Sequence, residues 1–222
     1  LIFKNLRLKT EIYYQYLFDI PVTSNPSYIS LINYGASYSG ERTDSLVNNG
    51  TGYNYGLEIT LEKFLSNHYY FLATASLFES KYTASDGILR NTMFNTNYVF
   101  NLVGGYEQKL KKNMSLAFDL KLVWAGGMRK IPIDLVSSAQ EGKVVYDYSS
   151  AFDQRYDDYF RMDAKLSFKL NRKKIAYQFA IDLMNVTDRQ NHFKEMYDAD
   201  SKTLYEGYSV GLIPVLFCRV NF

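Results

Sequence analysis

The sequence predicts an all-β fold: an antiparallel, up-and-down set of about eight strands that crosses a membrane as a segment of a transmembrane β-barrel. Three observations carry the prediction. Hydropathy alternates with a period of two along most of the chain, as expected of strands with two unlike faces. The alternating runs are about 11 to 15 residues long, well beyond the roughly five or six usual for strands of globular proteins. The connections between the runs alternate between short and long without exception.

In the first run Leu6, Leu8, Thr10, Ile12, Tyr14 and Tyr16 share one parity, and Arg7, Lys9, Glu11, Tyr13 and Gln15 the other. In the second, Tyr53, Tyr55, Leu57, Ile59 and Leu61 oppose Asn54, Gly56, Glu58, Thr60 and Glu62. Residues 69–82 alternate less cleanly; 98–110 and 114–124 follow. The sixth run is the clearest, with Phe160, Met162, Ala164, Leu166, Phe168 and Leu170 against Tyr159, Arg161, Asp163, Lys165, Ser167 and Lys169. Residues 174–186 and a terminal strand complete the set. No helix is predicted, and without crossover helices consecutive strands must run antiparallel.

The connections after the second, fourth and sixth strands are "SNH", "KKN" and "NRK"; the others fall near residues 18–52, 84–96, 126–156 and 188–207. A soluble sandwich has no reason to place every long loop at one end, whereas a membrane barrel has short periplasmic turns and long outer loops. The apolar parity then faces lipid. The charged parity, including Glu58, Glu62, Asp119, Lys121, Arg161, Asp163, Lys165 and Lys169, faces a wet lumen as a ladder of compensating cross-strand pairs. Pairs such as Tyr53 and Tyr55, Tyr69 and Tyr70, Tyr98 and Phe100, and Tyr159 and Phe160 cluster near strand ends, where aromatic girdles belong.

Composition narrows the function classes. Aromatic residues make up 17% of the 222, with 21 Tyr, 15 Phe and a single Trp. The lone Cys218 excludes an internal disulfide and multi-Cys metal sites, and a net charge of +2 gives no field for nucleic acid. No stretch approaches the roughly 20 apolar residues of a membrane helix. No signal peptide is visible and the chain opens on "LIFKNLRLKT", so a processed chain or a fragment is expected.

The chain ends on "GLIPVLFCRVNF", with Leu216, Cys218, Val220 and Phe222 on one face. A terminal aromatic preceded by apolar residues at alternate positions resembles the signal by which outer-membrane proteins are passed to the barrel-assembly machine. The segments "LKTEIYYQYLFDIPV", "LVNNGTGYNYGLEITLEKFLSNHYYFLATASLFESKY", "YDDYFRMDAKLSFKLNRKKIAYQFAIDLMNVTDRQN" and "GLIPVLFCRVNF" together resemble the C-terminal barrel of TonB-dependent outer-membrane receptors, Bacteroidetes type. The most specific parts are R-x-D-x-K…NV-T-D-R-Q-N and the final R-V-N-F. The resemblance implies that residues 1–222 are the C-terminal part of a barrel of roughly 22 strands, without its plug domain. It further implies an outer-membrane location in a Gram-negative bacterium and TonB-energised uptake of a scarce nutrient such as an iron chelate, vitamin, glycan or peptide. Its partners would be membrane lipid, the plug and TonB, the assembly machine and the nutrient. The alternative is a complete eight-stranded barrel with a structural or adhesion role. That alternative requires the first and last strands to pair.

Few residues suggest other chemistry. "GTGYNYG" has the wrong spacing for a dinucleotide loop, and Gly56 reads as relief of crowding within a strand. His68 falls in a short turn and His192 at a loop root, neither with a zinc-ligand pattern. A hydrolytic His192 would have to find Glu195, Asp198 or Asp200. Asp153, Asp157, Asp158, Asp198 and Asp200 lack an EF-hand spacing, and "YDADSKTLY" reads as a hairpin tip. No catalytic, metal or cofactor site is therefore expected. The binding candidates are loop residues with aromatic faces or a guanidinium: Tyr34, Tyr38, Arg42, Trp124, Arg129, Tyr146, Tyr148, Phe152 and Tyr156.

Overall fold

A computed structural model describes residues 5–35 and 45–222. Its strands are β1 (Leu6–Thr23), β2 (Leu46–Ser66), β3 (Tyr69–Thr83), β4 (Leu89–Asn91), β5 (Tyr98–Lys111), β6 (Met114–Ala125), β7 (Arg129–Lys130), β8 (Gln154–Arg155), β9 (Tyr159–Asn171), β10 (Ala176–Met184), β11 (His192–Asp198), β12 (Thr203–Tyr208) and β13 (Ile213–Asn221). Eight of them form one antiparallel sheet in the order β1-β2-β3-β5-β6-β9-β10-β13, with β4 folded back on β3. Strands β11 and β12 make a hairpin inside the last loop, and β7 and β8 a short ladder inside the one before it.

The register keeps each parity on its own face across the sheet. One apolar row runs Thr10, Ile59, Ala75, Phe100, Trp124, Phe160 and the next Leu8, Leu61, Ala73, Leu102, Leu122, Met162. Between them on the opposite face lies Lys9, Thr60, Thr74, Asn101, Val123, Arg161. The apolar face is left uncovered: Ile12 is 84% exposed and Leu216 80%. The expected charge ladder closes only in part. Arg7 and Glu62 pair across strands at 2.5 Å, but Arg161 and Asp163 pair along one strand at 2.7 Å. Asp119, Lys121 and Lys165 lie opposite complementary charges in register, yet none makes an ion pair among the described residues.

Two glycines on the charged face make room for tyrosines. A Cβ on Gly56 would lie 2.8 Å from the hydroxyl of Tyr13, its partner in β1. A Cβ on Gly105 would lie 2.7 Å from the ring of Tyr70, its partner in β3, whose hydroxyl donates to Asp119 Oδ1 at 2.8 Å. The rings thus cover the bare backbone across the strand pair.

The short turns come at one end, as expected: Ser66 pairs with Tyr69, and Asn67 and His68 adopt φ of 51° and 74° between them. Strands β1 and β2 run further than the sequence period showed, 18 and 21 residues, because a bulge between Leu17 and Pro21, with Asp19 at φ 55°, resets the alternation. Among the described residues an α-helix forms where no helix was expected, α1 (Leu135–Glu141). Asp134 caps it by accepting from Ser137 N, and Gly142 ends it in the left-handed region.

At its two ends the sheet stops at β1 and β13, which do not pair among the described residues. The closure expected of an eight-stranded barrel is therefore not made among the described residues. The buried core lies under the loops rather than under the strands. It is built from Val22, Tyr82, Ala84, Ala151 and Phe152, with Tyr28, Ile32, Met93 and Ile131 packed against them.

Candidate functional site among the loops

The long loops are positioned by the sheet and by their own polar struts. Asn95 accepts from Ser80 N at 3.1 Å and donates to Glu79 at 3.0 Å, which fixes the segment between β4 and β5. Arg129 then ties that segment to the next loop. Its guanidinium donates to Asn95 O at 3.1 Å, Asn97 Oδ1 at 2.9 Å and Asp153 O at 3.0 Å. Tyr82 donates to Tyr28 O at 2.8 Å and so holds the first loop over the same core.

These struts leave a cavity of about 430 Å³ between four loops, and Arg129, Tyr146, Tyr148, Phe152 and Tyr156 all line it. The aromatic wall is Tyr28 stacked on Tyr148, ring centroids 4.8 Å apart and 14° from parallel, with Tyr146 6.1 Å beyond. Phe152 is the floor; at 3% exposure it is core, not an open contact. On the other side Lys130 and Glu195 form an ion pair at 2.5 Å, each side chain 16% exposed. The Tyr156 hydroxyl accepts from Glu195 N at 3.1 Å, and Lys130 Nζ lies 5.1 Å from the Tyr156 ring. Arg129 and Lys130 are thus already engaged, so the cavity offers a ligand its aromatic faces together with the third cation lining it, Lys194.

A second depression of about 490 Å³ shares Tyr28 and Tyr148 and is floored by Asp86 and Arg90. Arg90 donates through both nitrogens to the Asp86 carboxylate, at 2.9 and 2.8 Å. Burial alone would raise the Asp86 pKa, but the Arg90 fork and the Ile88 N–H outweigh it and hold the carboxyl below its ordinary range.

The other sequence candidates fall elsewhere. Tyr34 caps the 3-10 turn Leu31–Asn33. Tyr38 and Arg42 lie outside the described residues. Trp124 is on the apolar face of β6, 5.7 Å from Tyr98 and 5.6 Å from Phe100, as one of an aromatic band and apart from the cavity. Leu216, Cys218 and Val220 pair with Ile181, Phe179 and Tyr177 on that same face, and Phe222 projects beyond the last pair. An apolar hollow of about 430 Å³ lined by Leu166, Phe179, Leu216 and Cys218 is a furrow between these outward side chains and offers no polar group to orient a ligand.

His192 does not meet Glu195, Asp198 or Asp200. It stacks on Tyr208, centroids 4.7 Å apart, with Nε2 2.6 Å from Glu206 and Nδ1 3.3 Å from Asp157. Tyr208 also donates to Glu206, and these two bonds hold the Glu206 carboxyl below its ordinary pKa. His68 contacts Glu107 O through Nδ1 at 3.0 Å. Asp198 accepts from Ser201 Oγ and Asp200 N at the tip of the β11–β12 hairpin, the turn read from "YDADSKTLY". No group of three His, Cys, Asp or Glu residues that could hold a metal ion occurs among the described residues.

The R-x-D-x-K…NVTDRQN segment proves to be a fastening. Asp163 takes both donors of Arg161, at 2.7 and 3.1 Å, and accepts Asn185 N at 2.8 Å where β10 ends. Asn191 pairs with Phe160 through its side chain, accepting from N at 2.8 Å and donating to O at 3.0 Å, as a strand backbone would. Asp188 accepts Leu212 N at 2.8 Å where the chain re-enters the sheet. The motif thus closes both roots of the last loop. Tyr28, Lys130, Phe193 and Glu195 complete the cavity although the sequence did not single them out as a binding set. Their only local signal is an aromatic or charged residue in a long loop.

No protein-family model matches the chain, and no curated protein matches it. Among solved structures, the outer membrane transporter YddB from Escherichia coli superposes on 99% of the chain with a TM-score of 0.57 at 13% identity. The chain spans 30% of that protein's length. At that identity the likeness is one of fold: the antiparallel sheet is built as a segment of an outer-membrane transporter barrel is built.

Proposed function

We propose that the chain is part of the wall of an outer-membrane receptor that imports a scarce nutrient with energy delivered through TonB. The observation that carries this reading is the polarity of the sheet. An uncovered apolar face backs a charged one, and every long loop gathers at one end around an aromatic-lined cavity. The apolar face suits lipid, the charged face a wet lumen, and the loop end the outside. The unpaired edges of β1 and β13 suit a wall continued by further strands, and so favour a larger barrel over a closed eight-stranded one. A plug domain, TonB and the barrel-assembly machine are its expected partners, the last through the strand bearing Leu216, Cys218, Val220 and Phe222. The Bacteroidetes type of receptor is proposed on the motifs fastened by Asp163 and Asn191. The role is binding and passage, without covalent chemistry; the nutrient meets Tyr28, Tyr146 and Tyr148.

Uptake of candidate nutrients by the native strain, by a strain lacking this gene and by a strain lacking TonB tests the reading. The expected result is one nutrient whose uptake both deletions abolish. Uptake that needs this gene but persists without TonB would sink the receptor mechanism. Tyr148→Ala should weaken binding of that nutrient about five- to tenfold, the worth of one aromatic contact, while leaving the amount of folded protein in the membrane unchanged.

A further inference from the structure

The turn end of the sheet carries a cluster of positive charge that nutrient uptake does not use. The β5–β6 turn brings Lys111 and Lys112, and the β9–β10 turn brings Arg172, Lys173 and Lys174. The two turns are neighbours in space, because β6 pairs with β9 as far as Met114 and Leu170, and Asn171 N donates to Asn113 O at 2.8 Å. One register further in, a single row across β5, β6, β9, β10 and β13 reads Lys109, Ser115, Lys169, Gln178, Arg219. No Asp or Glu occurs in residues 108–118 or 166–178, which hold the two turns and their flanking strand ends. None of these eight cations makes an ion pair among the described residues. Arg219 rests on the Phe217 ring, 5.0 Å from its centroid.

The turn cations Lys111, Lys112, Arg172, Lys173 and Lys174 adjoin the apolar face, whereas the row with Lys109, Lys169 and Arg219 lies on the opposite, charged face. The last outward row beside the turns is Met114, Leu170, Tyr177, Val220, with Leu116, Phe168, Phe179 and Cys218 next. Unpaired Lys and Arg that border an apolar, aromatic-edged wall match the boundary between acyl chains and anionic headgroups. A soluble acidic protein would need only the charge; a lipid needs the charge and the adjoining apolar rows together, and both are present here. We infer that the turn end of β5–β6 and β9–β10 is a binding surface for the phosphate headgroups of anionic phospholipids in the periplasm-facing leaflet. The inference rests on the membrane-barrel reading above.

The experiment uses the full chain from native membranes. First, membranes are washed with alkaline carbonate. Then the purified protein is transferred to nanodiscs of zwitterionic phosphatidylethanolamine doped with phosphatidylglycerol, and co-purifying lipid is counted by native mass spectrometry. The variant Lys112→Gln/Arg172→Gln/Lys173→Gln/Lys174→Gln is compared with one that neutralises four loop cations, Lys143, Arg155, Lys194 and Lys202. The expected result is selective retention of phosphatidylglycerol that falls at least about tenfold in the turn variant, and with added salt, but not in the loop variant. Equal retention by both variants, or equal binding of the two lipids, overturns the inference while the barrel reading stands. Loss of binding to peptidoglycan sacculi with lipid binding unchanged overturns it in favour of a polymer partner. Release of the protein by carbonate overturns the barrel reading and this inference with it.

Discussion

The two ends of the sheet solve opposite problems. At the turn end, connections of two to four residues close the hairpins, and the cations of the β5–β6 and β9–β10 turns make no ion pair among the described residues. At the loop end, residues 84–97, 126–158 and 185–212 hold twelve acidic and eight basic side chains, and the described ones are largely consumed in local bonds. Asp134, Asp147 and Asp198 each cap a turn with serine donors, which hold their carboxyls below the ordinary range. The end with long loops thus needs a core and struts to be ordered; the end with short turns needs neither. The buried residues follow that rule, since Val22, Tyr82, Ala151 and Phe152 lie beneath the loops.

This contrast is most easily broken at Phe152. Its ring packs edge-on to Tyr82 and tilted to Tyr28, both at 6.3 Å between centroids. Phe152→Ala should remove about 3–5 kcal/mol from the loop layer. The check is amide hydrogen exchange, with protection lost in the loops around Tyr28 and Ile131 and retained in β5, β6 and β9. If protection falls equally along the strands, the loop core is not a separate unit.

A smaller effect sharpens the contrast at the root of the last loop. Asp163 joins Arg161 to the backbone of Asn185 with its side chain 15% exposed. Asp163→Ala should cost about 2–3 kcal/mol, the worth of hydrogen bonds to a charged group. It should expose residues 185–212 to added protease while leaving 84–158 protected. Cleavage that stays at the level of the unmodified protein would show that Asn191 and Asp188 hold the root without it.

How much of this was legible depended on distance along the chain. Strand parity was legible because a period of two is local, and the register then carried Lys9, Asn101 and Arg161 to one face as the pattern required. The aromatic cavity was legible as a set of residue types, and five of the seven described candidates meet there. Trp124 ends a strand on the apolar parity and belongs to that face; Phe152 is an aromatic residue in a loop that the loop itself buries. Helix α1 escaped because seven residues are too few to show a period of 3.6, although Asp134 and Gly142 mark both its ends. Tyr28 and Glu195 escaped because only the folded sheet brings residues so far apart in sequence around one space.

The finest distinction concerns acid within the loop end. Accepting from Tyr208 and pairing with His192 hold the Glu206 pKa low, and the hydrogen bond that the Tyr208 hydroxyl donates to Glu206 holds the phenol's pKa high. A depressed carboxyl contributes stability that is complete above its unfolded pKa and disappears as pH falls through the folded value. A raised phenol contributes stability that is complete below 10.0 and disappears as pH rises through the folded value. The β11–β12 root should therefore be tightest between those limits and loosen first on the acid side. The amides to follow are Ser209, which donates to Asn191 O at 2.8 Å, and Asn191, which donates to Ser209 Oγ at 3.2 Å. Asp198 is also depressed, but it binds only Ser201 and Asp200 at the tip, so its loss loosens the tip and not the root. In Glu206→Gln the root should show low protection already at neutral pH and little further change on acidification, while the tip still responds. Root amides that lose protection in step with the tip, in both proteins, would place the acid sensitivity at Asp198 and leave Glu206 a passive neighbour of His192.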